Sequence, residues 1–313
     1  MARYLPAAGS ALLAERYDVD EGGTEVSRDE LLRRVPGAAA LVADPTVPVD
    51  AELLDAAGAD LSVVANFAVG YDNVDVAACR ERDVIVTNTP DVLTNATAEL
   101  AVALMLAAAR RLGEGERIVR AGRWAGWEPN QLLGRELSGA VVGIVGLGRI
   151  GTRVAELLRG FEVELLYAAR SPRPGAERRL RAEHSTLEAL LERSDFVTLH
   201  VPLSPRTHHL IDAHALQRMK PGAILVNTSR GGLVDAAALA EAIRAGRLAG
   251  AGLDVYEQEP QVPSELLELE RVVLAPHVGS ATATARDAMA QLVAENVIAV
   301  MEGRAPLTPV DPG

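Results

Sequence analysis

Three residues far apart in the chain have side chains that could do chemistry together. Arg230 lies in Asn227-Thr228-Ser229-Arg230-Gly231-Gly232, Glu259 in Asp254-Val255-Tyr256-Glu257-Gln258-Glu259-Pro260, and His277 in Pro276-His277-Val278-Gly279. Each stands at or near the end of an apolar run that reads as a strand, and ligands of open α/β sheets gather at the carboxyl ends of strands. All three could therefore face one cleft. A guanidinium grips a carboxylate through two parallel hydrogen bonds, and an imidazole passes a proton to a carbonyl oxygen. A carboxylate beside that imidazole orients it and favours its charged form. Singly, each has a plainer reading: Arg230 a surface charge, Glu259 a turn residue before proline, His277 a hydrogen-bonded core histidine. Together they suit reduction of a 2-oxoacid, provided a hydride donor is held beside them.

The stretch Val141-Val142-Gly143-Ile144-Val145-Gly146-Leu147-Gly148-Arg149-Ile150-Gly151 supplies a place for such a donor. A β-branched apolar run, as a strand covered on both faces needs, passes into Val154, Leu157 and Leu158 at helical spacing. Gly146, Gly148 and Gly151 fit G-x-G-x-x-G: the first permits a tight turn, the second lets backbone approach a pyrophosphate, the third lets helix pack on strand. Free N–H groups at the helix start then hold the anion. Alone the pattern is weak, but its place between a strand and a helix makes it specific. An acidic residue is expected about 20 residues later to bond the ribose of NAD. The region reads Tyr167-Ala168-Ala169-Arg170-Ser171-Pro172-Arg173, without a carboxylate. Arg170, Ser171 and Arg173 suit the 2′-phosphate of NADP(H), with NAD(H) still possible; the bland alternative is a solvated basic loop.

These residues need a scaffold, and 313 residues exceed the size at which single cores stop growing, so two domains are expected. Short strands alternating with helices imply a parallel α/β architecture. Strands are predicted at 39–43, 61–65, 84–87, 141–145, 163–169, 196–200, 223–227, 251–255 and 272–274. Helices are predicted at 7–15, 74–82, 98–111, 187–192, 236–245 and 282–302. A boundary falls just beyond Pro90, where the proline breaks the pattern. The helix Ala98–Arg111 is apolar on nearly every face and is expected to be buried on all sides, with a share in a subunit interface.

Composition excludes other classes. A net charge of −12 with no basic run speaks against nucleic acid binding. No apolar run is long enough to span a bilayer and no signal peptide is apparent, so a cytoplasmic protein is expected. Cys79 is the single cysteine, which rules out an intramolecular disulfide or a cysteine-cluster metal site. His184, His208, His209 and His214 lack partners at metal-ligand spacing, so no metal is expected. His200 reads as a packing residue beside the cofactor.

With Phe67-Ala68-Val69-Gly70-Tyr71-Asp72-Asn73-Val74-Asp75, Val86-Thr87-Asn88-Thr89-Pro90, the glycine turn and the segments around Arg230, Glu259 and His277 in this order, the chain resembles the D-isomer-specific 2-hydroxyacid dehydrogenase family over nearly its whole length. It is most similar to the glyoxylate/hydroxypyruvate reductase branch. The resemblance implies two doubly wound parallel-sheet α/β domains: a Rossmann nucleotide domain over 96–282 and a smaller flavodoxin-like substrate domain from 1–95 and 283–313. It assigns Arg230, Glu259 and His277 as the catalytic set and the backbone at Val69 and Gly70 as a second substrate anchor. Leu147, Gly148, Arg149, Ile150, Thr228, Asp254 and Gly279, with Thr97, Pro202 and Thr207 less specifically, are implied as cofactor contacts. Trp127-Glu128-Pro129 resembles a Trp-x-Pro whose ring reaches the partner's substrate pocket in a homodimer; a plain core or interface tryptophan fits equally.

The implied activity is NADPH-preferring reduction of glyoxylate and hydroxypyruvate to glycolate and D-glycerate. Ala43-Asp44-Pro45-Thr46-Val47-Pro48 offers no basic group for a phosphorylated substrate. One rival is a broader D-2-hydroxyacid dehydrogenase acting on bulkier 2-oxoacids; another is a dinucleotide-sensing interaction protein similar to the C-terminal binding protein corepressors. The family's opening strand has almost no counterpart before Leu5-Pro6-Ala7-Ala8-Gly9, so the first sheet is expected to lack a strand, as from a truncated or misassigned start.

Overall fold

The computed structural model describes residues 1–310, and the end of the expected segment 283–313 lies outside the described residues. The chain divides into two compact units, Met1–Leu93 with Ser280–Gly313, and Thr94–Gly279.

The first unit carries three parallel strands in the order β1 (Ala40–Ala43), β2 (Val63–Asn66), β3 (Ile85–Thr87). β2 is buried along its whole length, as a central strand with both faces covered must be. Val64 packs with Leu31, Leu53, Leu54 and Cys79 on one face. The long helix Ala283–Met301 packs on β2 and along the helix Ala7–Ala14. Those helices approach closely because a Cβ on Gly9 would lie 2.3 Å from the Ala290 carbonyl oxygen. Among the described residues no strand precedes Ala7; only the Ala2 N–H reaches the sheet edge, donating to Val42 O at 2.9 Å.

The second unit holds a parallel sheet of seven strands: β4 (Val141–Val145), β5 (Glu164–Ala168), β6 (Ala182–His184), β7 (Phe196–Leu199), β8 (Ala223–Asn227), β9 (Leu248–Leu253) and β10 (Val272–Leu274). Their spatial order is β10-β9-β8-β7-β4-β5-β6. The chain thus winds outward from β4 through β5 to β6, then returns to the other side of β4 and winds outward again. This is the doubly wound nucleotide-binding order, and its reversal between β4 and β7 leaves a crevice at their carboxyl ends.

The helix Thr94–Ala109 packs against β8, β9 and the helix Arg149–Leu158. A Cβ on Gly252 would lie 2.9 Å from Leu104 Cβ, so only glycine admits the helix this close to β9. Contrary to expectation, the helix is not buried on every side. Ala98, Ala101, Met105 and Ala108 are covered, whereas Glu99, Ala103 and Arg110 lie exposed along one outer stripe. The apolar majority outweighed Glu99 and Arg110 in the sequence, and Ala103 between them is equally at home on either face. The edge strand β6 was not anticipated, and β9 begins earlier than expected because Gly250 and Gly252 mask its periodicity.

Candidate functional site in the Thr94–Gly279 unit

The glycine turn sits at the crevice where the strand order reverses. Gly146 adopts φ +96°, and a Cβ there would lie 2.6 Å from the His200 carbonyl oxygen where the chain leaves β7. A Cβ on Gly151 would lie 2.1 Å from the Gly146 carbonyl oxygen, so the third glycine lets the helix abut the turn. Gly148 differs: a Cβ there would meet nothing within 4 Å. It caps the helix Arg149–Leu158 without any side-chain hydrogen bond. Gly148 and Arg149 are exposed, Ile150 is half-buried and Leu147 is packed into the core. An uncapped helix start with open space at the middle glycine is what a pyrophosphate requires, so these residues fit a dinucleotide.

Beyond β5, Arg170, Ser171 and Arg173 are exposed and no carboxylate stands among them. The Arg173 N–H donates to Tyr167 Oη at 2.6 Å, and that hydroxyl donates to Glu177 Oε1 at 2.7 Å. Burial and the neighbouring carboxylate push the tyrosine hydroxyl up, so it remains a donor. The Glu177 carboxylate is therefore already engaged.

His277 Nδ1 lies 2.7 Å from Glu259 Oε2, and the Tyr256 N–H donates to Glu259 Oε1 at 2.9 Å. Burial tends to raise the Glu259 carboxyl. The hydrogen bonds from His277 and Tyr256, with the charges of His277 and Arg230, outweigh it and hold the group below its ordinary value. An ionised Glu259 accepts, so Nδ1 carries the hydrogen and Nε2 is the ring nitrogen left to act on a ligand. Arg230 is itself oriented: its Nη1 donates to Ser229 O at 2.8 Å, and Asn227 Nδ2 donates to Arg230 O at 2.8 Å. A Cβ on Gly231 would lie 1.9 Å from the Tyr256 carbonyl carbon, which presses the arginine's segment against the one leading to Glu259.

His277 has φ +52°, a left-handed conformation that a side chain adopts only where its surroundings enforce it. Asp254 supplies the enforcement. Its backbone oxygen accepts from the His277 N–H at 2.8 Å, and its carboxylate oxygens accept from the N–H groups of Val278 and Gly279, both at 2.7 Å. Burial raises the Asp254 carboxyl even so. This positioning of the histidine turn by Asp254 was not legible in the sequence. The spacing of 23 residues carries no periodic signal.

Other expected residues fall as follows. Thr97 is buried, and its side chain lies 3.5 Å from where a Cβ on Gly279 would stand. Thr228 Oγ1 is buried with no hydrogen-bond partner among the described residues, an orphan that a ligand would satisfy. Thr207 Oγ1 donates to Pro202 O at 2.7 Å and accepts from the Ser204 N–H at 2.8 Å, closing the turn after β7. Trp127 is 81% exposed. Val69 and Gly70 belong to the first unit, where Asn88 Nδ2 and Asn66 Nδ2 donate to their carbonyl oxygens, each at 2.8 Å. His200 bonds Thr198 Oγ1 at 2.9 Å, and burial drives its imidazole down to about 4. One expectation about the histidines fails: His208 and His209 do have a partner, because Glu257 from a distant loop lies against both.

Residues 102–279 match the D-isomer specific 2-hydroxyacid dehydrogenase NAD binding domain. The chain is 48% identical to the glyoxylate reductase of Thermococcus onnurineus over 315 residues, covering 99% of this chain and 94% of that one. A Thermus thermophilus protein of known crystal structure superimposes with a TM-score of 0.93 at 46% identity, covering 99% of this chain and 98% of that one. An NADPH-dependent glyoxylate/hydroxypyruvate reductase from Sinorhizobium meliloti, solved with NADP and malonate, does so with a TM-score of 0.86 at 37% identity, covering 98% and 94%. No helix among the described residues is long and apolar enough to cross a membrane. With the doubly wound sheet, the open glycine turn and this likeness along almost the full length, the chain belongs to the D-isomer specific 2-hydroxyacid dehydrogenase family and is an oxidoreductase built around a nicotinamide dinucleotide site.

Proposed function

We propose that the protein reduces glyoxylate and hydroxypyruvate to glycolate and D-glycerate with NADPH in preference to NADH. The observation that carries this reading is the Glu259–His277 pair at 2.7 Å, which leaves Nε2 free of the carboxylate and the imidazole locked in one tautomer. In this reading Arg230 binds the substrate carboxylate in bidentate fashion. His277 Nε2 donates its proton to the carbonyl oxygen, and Glu259 stabilises the charged imidazole before that transfer. The reduced nicotinamide, when bound, supplies the hydride. Gly148 and the N–H groups that follow it hold the pyrophosphate, Thr228 Oγ1 offers an unspent hydrogen bond, and Arg170, Ser171 and Arg173 receive the 2′-phosphate. The unit Thr94–Gly279 is the nucleotide domain in this scheme and the other unit the substrate domain. Exposure of Leu112, Val119, Trp124, Trp127 and Leu133 supports a homodimer that covers this surface.

Steady-state kinetics with glyoxylate, hydroxypyruvate, pyruvate and a longer 2-oxoacid, each with NADPH and NADH, test the proposal. Highest kcat/KM for the two small substrates with NADPH is expected. A preference for NADH, or for the longest oxoacid, would overturn it. His277→Ala should abolish turnover while NADPH still binds; a variant as active as the parent excludes the assigned proton donor.

A further inference from the structure

Two consecutive histidines and a glutamate from a different loop converge on the surface of the Thr94–Gly279 unit. His208 Nε2 lies 2.9 Å from Glu257 Oε1, and His209 Nε2 lies 3.2 Å from Glu257 Oε2. One ligand-type atom from each of the three residues lies within 4.8 Å of the others. Neighbouring side chains in extended backbone point to opposite sides. Here His209 has φ +48°, and the two rings stack with centroids 4.0 Å apart and 22° between their planes. That left-handed residue brings both nitrogens to one carboxylate, a conformation the surrounding structure must enforce.

The enforcement is visible on both sides. The His208 N–H donates to Ser204 O, the His209 N–H to Gly232 O and the Ile211 N–H to Leu233 O, at 2.9, 2.7 and 3.0 Å. A Cβ on Gly231 would lie 2.2 Å from Glu257 N, so the segment that anchors His209 also abuts the glutamate's backbone. The two histidine hydrogen bonds hold the Glu257 carboxyl below its ordinary value. The donor set thus sits on two segments, both braced against Gly231–Leu233, with its carboxylate ionised.

We propose that His208, His209 and Glu257 form a binding site for one divalent transition-metal ion of the zinc, cobalt or nickel class. Two imidazoles and one carboxylate are the ligands such ions take, and the remaining position is open to water. Tetrahedral coordination with bonds of about 2.1 Å sets ligand atoms roughly 3.4 Å apart, so three atoms now within 4.8 Å of one another need only side-chain rotation to close on an ion. On binding, each Nε2 gives up to solvent the hydrogen it shares with the carboxylate and offers its lone pair to the ion, the neutral ring carrying its hydrogen on Nδ1. The ion ties the turn after β7 to the segment Tyr256–Glu259. Magnesium and calcium, which prefer all-oxygen shells, are poor fits.

The test uses untagged full-length protein freed of metal with a chelator. Calorimetric titration with zinc chloride should give one ion per chain with a dissociation constant of roughly micromolar or tighter. His208→Ala and Glu257→Gln should each weaken zinc by at least about tenfold, while His214→Ala binds as the parent does. Zinc should raise the thermal midpoint of the parent and of His214→Ala but not of the other two, and magnesium chloride should raise none. Bound cobalt should show the intense visible bands of a tetrahedral site. Absence of one-to-one zinc binding, or binding undiminished in both ligand variants, would overturn the site. These readouts are binding and melting, so their failure leaves the oxoacid reading untouched.

Discussion

Replacing Glu259 by Gln tests the most specific feature of the site. Two donors converge on the carboxylate, His277 Nδ1 at 2.7 Å from one oxygen and the Tyr256 N–H at 2.9 Å from the other. Glutamine has one oxygen and one amide nitrogen, so it can satisfy only one of them. If the oxygen stays with Tyr256, His277 faces a donor and its tautomer is no longer held. If it turns to His277, the Tyr256 N–H loses its acceptor. Either way the negative charge opposite the imidazole is gone. A hydrogen bond to a charged group contributes about 1.5–3 kcal/mol, and the side chains of His277 and Glu259 are 33% and 28% exposed, so water moderates the effect. A loss at the lower end of that range, about 1.5–2 kcal/mol of transition-state stabilisation, corresponds to a fall of roughly 10- to 30-fold in kcat/KM. The assay is NADPH oxidation with glyoxylate, paired with NADPH binding by fluorescence and a melting curve. Cofactor affinity should stay within about twofold, because in the proposed scheme the phosphates are received at Gly148, Arg170 and Arg173. A folded variant that keeps more than about a third of the parent's kcat/KM would refute the assignment of Glu259.

Other perturbations separate binding from folding. Gly148→Ala should leave the thermal midpoint unchanged, because its Cβ meets nothing in the fold, yet weaken NADPH by about tenfold or more if the pyrophosphate approaches there as proposed. Gly151→Ala should instead destabilise the protein by about 1–3 kcal/mol in chemical denaturation, since its Cβ would meet the Gly146 carbonyl oxygen at 2.1 Å. Replacing both Arg170 and Arg173 by Ala should lower the ratio of kcat/KM for NADPH over NADH by about tenfold; an unchanged ratio removes them from cofactor selection. His200, driven down to about 4 by burial, is neutral in the fold and takes up a proton on unfolding between that value and 6.5. Stability should therefore fall as pH is lowered from 6.5 towards 4, at up to about 1.4 kcal/mol per pH unit, and His200→Gln should flatten the slope.

Much of the candidate site was legible because it rests on residue types with few substitutes. Val141 to Val145 reads as a buried strand from β-branched composition alone, and the glycines mark the turn because no other residue fits Gly146 or Gly151. Several short helices went unread, although Ser27-Arg28-Asp29-Glu30 carries a capping-box pattern and Ser27 Oγ does accept from the Glu30 N–H. The strand β6 spans only Ala182-Glu183-His184 at the sheet edge, too short and too polar for period-two alternation to emerge.

Residue identity and order by themselves determined the fold class and the glycine turn, and singled out Arg230, Glu259 and His277 as candidates. Glycine stereochemistry and buried-strand composition are local properties written along the chain. Tertiary structure alone decided that Asp254 clamps the turn of His277 and that Glu257 meets His208 and His209. The first contact joins the carboxyl ends of the neighbouring strands β9 and β10, and the second joins the segments that follow β9 and β7 across β8, so both form only once the sheet is wound. Their spacing in sequence reflects the lengths of the intervening loops and helices, and no local periodicity encodes it.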